Sequence, residues 1–268
     1  MTVPIDTGER FCDESGIAKV RKQLSMSGYI GSRLAFLLLS GSFNPIHTSH
    51  LRTLLKTRKY VENLGWTVVG GFLAPSSDAY VQEKLGAEGL PLRWRIALCE
   101  LAIEEFDWVS VCVKEELSSK WACDGIRSEL EHCCCDVLDR RRLTGVEIMG
   151  SDTVVRIFSK ILMENTAKGG RSTQQGRVIC CVLRPGSESA AQSKYIEGVL
   201  VPAAADLGVE LMLLKPTLCG PPLEPVSSSA VRELISKGDW EKLRSNGWLQ
   251  RSVLKAIQTH NKRFQRTR

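Results

Sequence analysis

The stretch LLLSGSFNPIHTSHLRTL (37–54) joins an apolar run to a helical pattern through a glycine, a proline and two histidines. Gly41 has no side chain, so a phosphate could approach its backbone closely. His47 and His50 enter the helix about one turn apart, where unpaired N–H groups and a partial positive charge favour anions. Imidazoles add donors that can be neutral or charged near pH 7. The stretch therefore predicts a strand, a turn and a helix that together bind phosphate.

Short apolar strands alternate with longer helical patterns along the rest of the chain. The apolar runs are continuous, which is typical of strands that are buried on both faces. Alternating strands and helices give right-handed crossovers, and hence an α/β fold with a doubly wound parallel sheet. Such a sheet binds ligands beyond the carboxyl ends of its strands. The runs that predict strands are 34–41, 66–75, 108–113, 145–150, 177–185 and 209–216, and the chain from Ser227 onward is helical.

The domain organisation predicted from the sequence is simple. An N-terminal helical extension (1–33) precedes a single domain (34–264), which carries a flexible insert at 165–176 and is followed by a basic tail at 265–268. No apolar stretch approaches the roughly 20 residues of a membrane span. The first 31 residues also lack the apolar core of a signal peptide, so we expect no contact with a membrane.

Charge and cysteine content suggest the compartment and the partners. Much of the net charge of +6 lies in the tail HNKRFQRTR, which could bind nucleic acid or could be a solvated, frayed C-terminus; we expect the second, and hence no nucleic-acid partner. Modest positive charge also suits a protein that handles phosphorylated small molecules. Several of the ten cysteines lie inside apolar runs, which indicates a reducing compartment, either cytoplasm or nucleus. His132 adjoins Cys133, Cys134 and Cys135, but adjacent helical residues point apart, so we expect no metal site there.

Two motifs carry a resemblance to a known family. GSFNPIHTSHL (41–51) resembles the G-x-F-x-P-x-H-x-x-H signature of the nucleotidylyltransferase superfamily, and PVSSSAVRELI (225–235) resembles its I-S-S-T-x-x-R element. Between them, GFLAPSSDAYVQEKLG, VEIMGSDTVVRIF and GRVICCVLRPG are similar to segments of the eukaryotic nicotinamide or nicotinate mononucleotide adenylyltransferases. The resemblance runs in order from about Leu37 to about Phe264 and implies a Rossmann-like nucleotidylyltransferase fold.

The resemblance implies a role for particular residues in binding ATP. His47 and His50 would hold the ATP phosphates, and His50 would stabilise charge at the α-phosphorus during transfer. The other residues that it assigns to ATP are Gly41, Ser42 and Phe43 at the junction of the two substrates, Gly150 and Asp152 near the ribose, and Ser227, Ser228 and Arg232 at the β- and γ-phosphates. From the residues alone, Asp152 could equally be a simple helix cap and Ser227 a helix N-cap.

The acceptor half of the site departs from the family pattern. The family branch has a tryptophan that stacks on the nicotinamide ring after the third strand, whereas VCVKEEL places Lys114 there, followed by Glu115. A second stacking tryptophan usually follows the helix after the fourth strand, and here no aromatic residue occurs between Phe158 and the insert. Trp121 could substitute or could simply pack on its helix. Lys84 would hold the phosphate of the mononucleotide.

These observations predict an adenylyltransferase that moves AMP from ATP to nicotinamide or nicotinate mononucleotide, with Mg²⁺ on the phosphates. Two alternatives stay open at this point. One is an enzyme of the same fold with another acceptor, or one that hydrolyses ATP. The other is a non-catalytic nucleotide-binding chaperone or regulator. The sequence leaves self-association open.

Overall fold

The computed structural model describes residues 10–26, 33–112, 114, 119–138, 142–168, 175–183, 188–220 and 226–266. Its centre is a six-stranded parallel sheet in the order β3-β2-β1-β4-β5-β6. The strands are β1 (Arg33–Gly41), β2 (Trp66–Pro75), β3 (Val109–Val111), β4 (Leu143–Gly150), β5 (Val178–Val182) and β6 (Glu210–Leu214). The predicted α/β fold with a doubly wound parallel sheet is therefore confirmed, and the switch point lies between β1 and β4.

Helices cover both faces of the sheet. They are α1 (Glu14–Met26), α2 (Thr48–Asn63), α3 (Asp78–Leu85), α4 (Leu92–Ala102), α5 (Ser119–Cys133), α6 (Cys135–Leu138), α7 (Ser151–Lys168), α8 (Glu188–Tyr195), α9 (Val201–Asp206), α10 (Ser228–Ser236), α11 (Trp240–Ser245) and α12 (Arg251–Arg266). Short helical segments lie at Gly86–Glu88 and Ile196–Leu200. Within the described parts of the chain, no helix has both the length and the apolar character that crossing a bilayer requires.

The central strand β1 shows why its apolar run is continuous. Ala35, Leu37 and Leu39 point into the core under α2, α4 and the C-terminal helices α10–α12. The alternate residues of β1 join a second core with α1 and α5. Because successive side chains of a strand point to opposite faces, a strand covered on both sides needs apolar residues at every position.

Two segments differ from what the sequence patterns predict. Residues 78–85, which resemble a lysine-rich loop, form α3, with Ser77 Oγ accepting a hydrogen bond from the Tyr80 N–H at 3.2 Å. The sequence pattern also misses α8 and α9, which lie between β5 and β6. The helix α7 continues through the first residues of the predicted insert to Lys168, and residues 169–174 lie outside the described part of the chain. The division into extension, domain, insert and tail stays a prediction.

Candidate functional site

The opening motif forms the strand, turn and helix that its sequence predicts, and this junction of β1 and α2 lies at the switch point of the sheet. His47 is the N-cap of α2 in an extended conformation and is buried. The rings of His47 and His50 stack with centroids 3.7 Å apart. The His47 backbone N–H donates to His50 Nδ1 at 3.2 Å. Because Nδ1 accepts this bond, Nε2 carries the ring proton of His50, and His50 presents a defined N–H donor.

Phe43 supports His50 from the side. Its ring meets the His50 ring edge-on, with centroids 5.1 Å apart at 82°. Phe43 is buried and has φ of +43°, a left-handed conformation that is rare for a bulky residue. A Cβ added to Gly41 would lie 3.4 Å from the Phe43 ring, an ordinary van der Waals distance, so the Phe43 ring packs directly over Gly41. Strained backbone of this kind persists where the surroundings determine it strongly, often at functional sites.

The second motif lies directly against this loop. Ser227 is the N-cap of α10, and its Oγ accepts from the Ala230 N–H at 3.2 Å. Ser228 Oγ donates to the Pro45 carbonyl at 3.1 Å, and Arg232 Nη1 donates to the Asn44 carbonyl at 3.0 Å. Two motifs whose contacting residues lie more than 180 positions apart in the sequence therefore form one cluster of imidazole, hydroxyl and guanidinium groups.

Two polar residues that the sequence analysis did not single out hold the loop in place. Asn44 is fully buried; its Nδ2 donates to the Glu88 carbonyl at 2.9 Å, and its Oδ1 accepts from the Leu90 N–H at 2.8 Å. Arg95 is also fully buried and donates to the Leu90 carbonyl, to the Ser42 carbonyl at 3.1 Å and to Asp78 Oδ1 at 2.9 Å. A buried guanidinium needs such partners, because burying an unpaired charge is costly.

A signal for Arg95 is present in the sequence. It occupies the same face of α4 as the buried residues Leu98, Cys99 and Ala102, at the spacing of a core stripe. A charged residue on an apolar face indicates a specific buried partner. The partners themselves, on the loop after β1 and on α3, cannot be read from that pattern.

The sheet places the residues after β4 that are predicted for ATP next to the β1–α2 loop. In the parallel register Leu39 faces Ile148, so the ends of β1 and β4, at Gly41 and Gly150, lie side by side. A Cβ added to Gly150 would meet nothing within 4 Å, which marks open space there. Asp152 is exposed in the first turn of α7 and accepts from Gln192 Nε2 at 3.1 Å.

The contacts that the structure gives for the lysines predicted to bind the acceptor are with aromatic rings outside the β1–α2 loop. Lys84 is exposed in the last turn of α3, with Nζ 5.8 Å from the Tyr80 ring centroid. Lys114 follows β3, and its Nζ lies 5.0 Å from the ring centroids of both Phe11 and Trp121. Those rings are 4.7 Å apart, so Trp121 packs against the N-terminal segment. Glu115 lies outside the described residues.

Comparison with known proteins agrees with this arrangement. A nicotinamide/nicotinic acid mononucleotide adenylyltransferase 2 of Danio rerio is 34% identical over 108 residues, which are 40% of this chain and 31% of that protein. The chain thus matches less than half the length of that relative. The Oryza sativa nicotinamide/nicotinic acid mononucleotide adenylyltransferase is 28% identical over 215 residues, which are 76% of this chain and 77% of that protein.

A solved structure shares the fold. The Plasmodium falciparum nicotinic acid mononucleotide adenylyltransferase complexed with NaAD superposes with a TM-score of 0.50 at 14% identity, over 85% of this chain and 97% of that one. The cytidylyltransferase-like family model matches residues 38–234, which include both signature motifs and well over half of the chain. The resemblance predicted from the motifs is confirmed, and the chain belongs to the cytidylyltransferase-like family.

Proposed function

We propose that this protein is an adenylyltransferase that transfers AMP from ATP to nicotinamide or nicotinate mononucleotide, forming NAD or deamido-NAD and pyrophosphate. The observation that carries the proposal is the contact of α10 with the β1–α2 loop, through Ser228 and Arg232. It collects two histidines, a serine run and an arginine fork at the end of β1, where parallel sheets bind nucleotides. The relatives with that activity support the same reading.

The reaction that we propose needs no covalent intermediate. An oxygen of the mononucleotide 5′-phosphate attacks the α-phosphorus of ATP, the bond from that phosphorus to the bridging oxygen breaks, and pyrophosphate leaves with the electron pair. The chain would contribute positioning and charge stabilisation. His50, with its proton on Nε2, would donate to the α-phosphate as charge develops, and Arg232 would hold the β- and γ-phosphates with Ser227 and Ser228.

Mg²⁺ would enter this site with its nucleotide. Among the described residues, no group of three or more histidine, cysteine, aspartate or glutamate side chains could hold a metal ion. The residues that cluster at the loop are donors and cations, which suit phosphate oxygens. Mg²⁺ is commonly held by substrate phosphates and water, and when bound there it would neutralise charge on the leaving group.

The acceptor side of the proposal rests on fewer contacts. Lys84 and Lys114 are the cations that we propose for the mononucleotide, with Glu115 beside Lys114 in the sequence. The lysine at the position of a stacking tryptophan keeps an acceptor other than a pyridine mononucleotide as a second candidate. A cytoplasmic or nuclear location and the absence of a nucleic-acid partner stay predictions, and self-association stays open.

The test is an assay of pyrophosphate release by the purified chain with ATP and Mg²⁺, with and without each mononucleotide. We expect release that depends on mononucleotide and matches the dinucleotide formed. Arg232→Ala should raise the KM for ATP, whereas Arg244→Ala, an exposed arginine on α11, serves as the matched control. A rate of pyrophosphate release that is the same with and without each mononucleotide would favour another acceptor. The absence of any ATP turnover would contradict the proposal.

A further inference from the structure

The carboxylate of Glu88 forms an ion pair with Arg232, whose guanidinium we assign to the ATP phosphates. Arg232 Nε donates to Glu88 Oε2 at 2.9 Å, while Nη1 donates to the Asn44 carbonyl and Nη2 to Ser229 Oγ at 3.3 Å. The Glu88 side chain is 67% exposed and that of Arg232 only 18%. An anion already lies where the site would hold another anion.

The main chain around Glu88 is held independently of this ion pair. The Glu88 carbonyl accepts from the buried Asn44 side chain, and the next residue, Gly89, donates its N–H to the Gly86 carbonyl at 3.1 Å. The Leu90 N–H is held by the same Asn44 side chain. The carboxylate can therefore leave Arg232 by a change of side-chain rotamer, without unfolding the turn.

The guanidinium of Arg232 is also held without Glu88. The Asn44 carbonyl binds Nη1, and this carbonyl belongs to the loop that carries the histidines. When the carboxylate leaves, the Nε–H remains in place and becomes available to another acceptor. Phosphate oxygens and carboxylates bind the same edge of a guanidinium, so the two compete.

We propose that Glu88 is a specificity-determining residue that competes with the triphosphate for Arg232. Exposed ion pairs contribute little to stability, so a triphosphate with several charges can displace the carboxylate. A nucleotide whose phosphates do not reach Arg232 gains nothing from the displacement. Glu88 thus weakens the binding of nucleotides whose phosphates reach Arg232, and it leaves the binding of nucleotides with shorter phosphate chains unchanged, so it narrows the preference for ATP over AMP. This inference rests on the function proposed above.

The test compares Glu88→Gln with the wild type by calorimetric titration of MgATP and of AMP. Removing the competing charge should tighten MgATP binding by about two- to five-fold, the range that an exposed ion pair allows. AMP binding should not change. In the Arg232→Ala background, the same Glu88→Gln substitution should have no effect on MgATP affinity, because the guanidinium for which carboxylate and triphosphate compete is absent.

The matched control is Glu62→Gln, which makes the same change of charge in the last turn of α2, about 18 Å along the helix from His50. An equal gain in this control would assign the effect to net charge and overturn the inference. Unchanged or weaker MgATP binding in Glu88→Gln would also overturn it while leaving the proposed function intact. If the wild type binds no MgATP, the proposed function fails together with the inference.

Discussion

Asn44 and Arg95 hold the β1–α2 loop although neither belongs to the motif residues that we assign to substrate. Both are fully buried, and between them they satisfy three backbone carbonyls and one backbone N–H of the loop and its neighbouring segments. The φ of +43° at Phe43 persists within this network. At the scale of single residues, the site depends on buried polar side chains that hydrogen-bond the β1–α2 loop. These hydrogen bonds fix the loop that carries the two histidines.

His50→Ala is the substitution that tests the role of the histidine pair. The donor on Nε2 would act mainly in the transition state, so we expect kcat to fall by about a hundred-fold or more while the Kd for MgATP changes little. Kinetics and titration on the same preparation measure the two effects. His132→Ala, an exposed histidine at the end of α5, should leave both values unchanged. Unchanged turnover in His50→Ala would exclude the proposed role.

The N-terminal segment before α1 binds one face of α5 at the scale of elements. Glu129 Oε2 accepts from the backbone N–H groups of Phe11 and Cys12, at 2.8 and 3.2 Å. The Phe11 ring lies against Trp121 and over Gly125, which are two turns and one turn before Glu129 on the same face. A Cβ at Gly125 would lie 2.2 Å from that ring. The glycine is therefore what allows the segment to lie flat on the helix.

Gly125→Ala should release this segment from α5. Overpacking typically costs about 1–3 kcal/mol, and roughly 1.4 kcal/mol changes a population tenfold. We therefore expect trypsin to cleave the folded protein after the exposed Arg10 about ten times faster than in the wild type. Mass spectrometry of the digest over time measures this rate. Global stability is a poor readout here, because alanine itself favours the helix by roughly 1 kcal/mol.

The control for this substitution is Gly198→Ala. Gly198 also lies in a helical segment, but a Cβ there would meet nothing within 4 Å. The control should leave cleavage after Arg10 at the wild-type rate. Equal rates in Gly125→Ala and the wild type would mean that the Phe11 ring moves aside without loss of the two hydrogen bonds to Glu129.

Across the whole molecule, seven of the ten cysteines are buried and pack as small hydrophobes. Burial raises the pKa of seven thiols above the ordinary 9.0, to about 11 for Cys134 and about 12 for Cys181. The other five with a raised pKa are Cys12, Cys99, Cys123, Cys133 and Cys180. Because of these pKa shifts, the free energy of unfolding depends on pH in the alkaline range.

The direction of this coupling follows from proton binding. Below pH 9 both states hold the thiol protons, so the stability is fully present. Between pH 9 and the folded pKa, the unfolded chain releases protons that the folded chain retains, so the free energy of unfolding falls as the pH rises. Each thiol contributes at most about 1.36 kcal/mol per pH unit in that window.

Urea unfolding under reducing conditions at pH 8, 9 and 10 measures this loss. Cys181→Ala removes one of the titrating thiols, so its free energy of unfolding should fall less steeply above pH 9 than that of the wild type. Cys135→Ala, at an exposed position, should keep the wild-type slope. Parallel slopes for all three proteins would show that the buried thiols do not control alkaline unfolding.

Local patterns predict most of the secondary structure and the histidine pair. The apolar run of β1, the extended N-cap at His47 and the N-cap at Ser227 all depend on neighbours within a few residues, so periodicity and capping rules apply. The helix α3 was missed because the resemblance indicated a loop there, although Ser77 caps it locally. The roles of Lys84, Lys114 and Glu115 in binding the acceptor remain predictions.

The sequence by itself determined the fold class and the two family motifs, because buried parallel strands and helix N-termini require particular residues at short spacings. Only the tertiary structure decided which distant groups meet: Arg232 with Glu88 and Asn44 across 144 and 188 residues, and Arg95 with the Ser42 carbonyl across 53. The physical reason is desolvation: a buried polar group without a hydrogen-bond partner is costly, so it pairs with whichever residue the fold brings close. That partner can be far away in the sequence, so no local pattern predicts it.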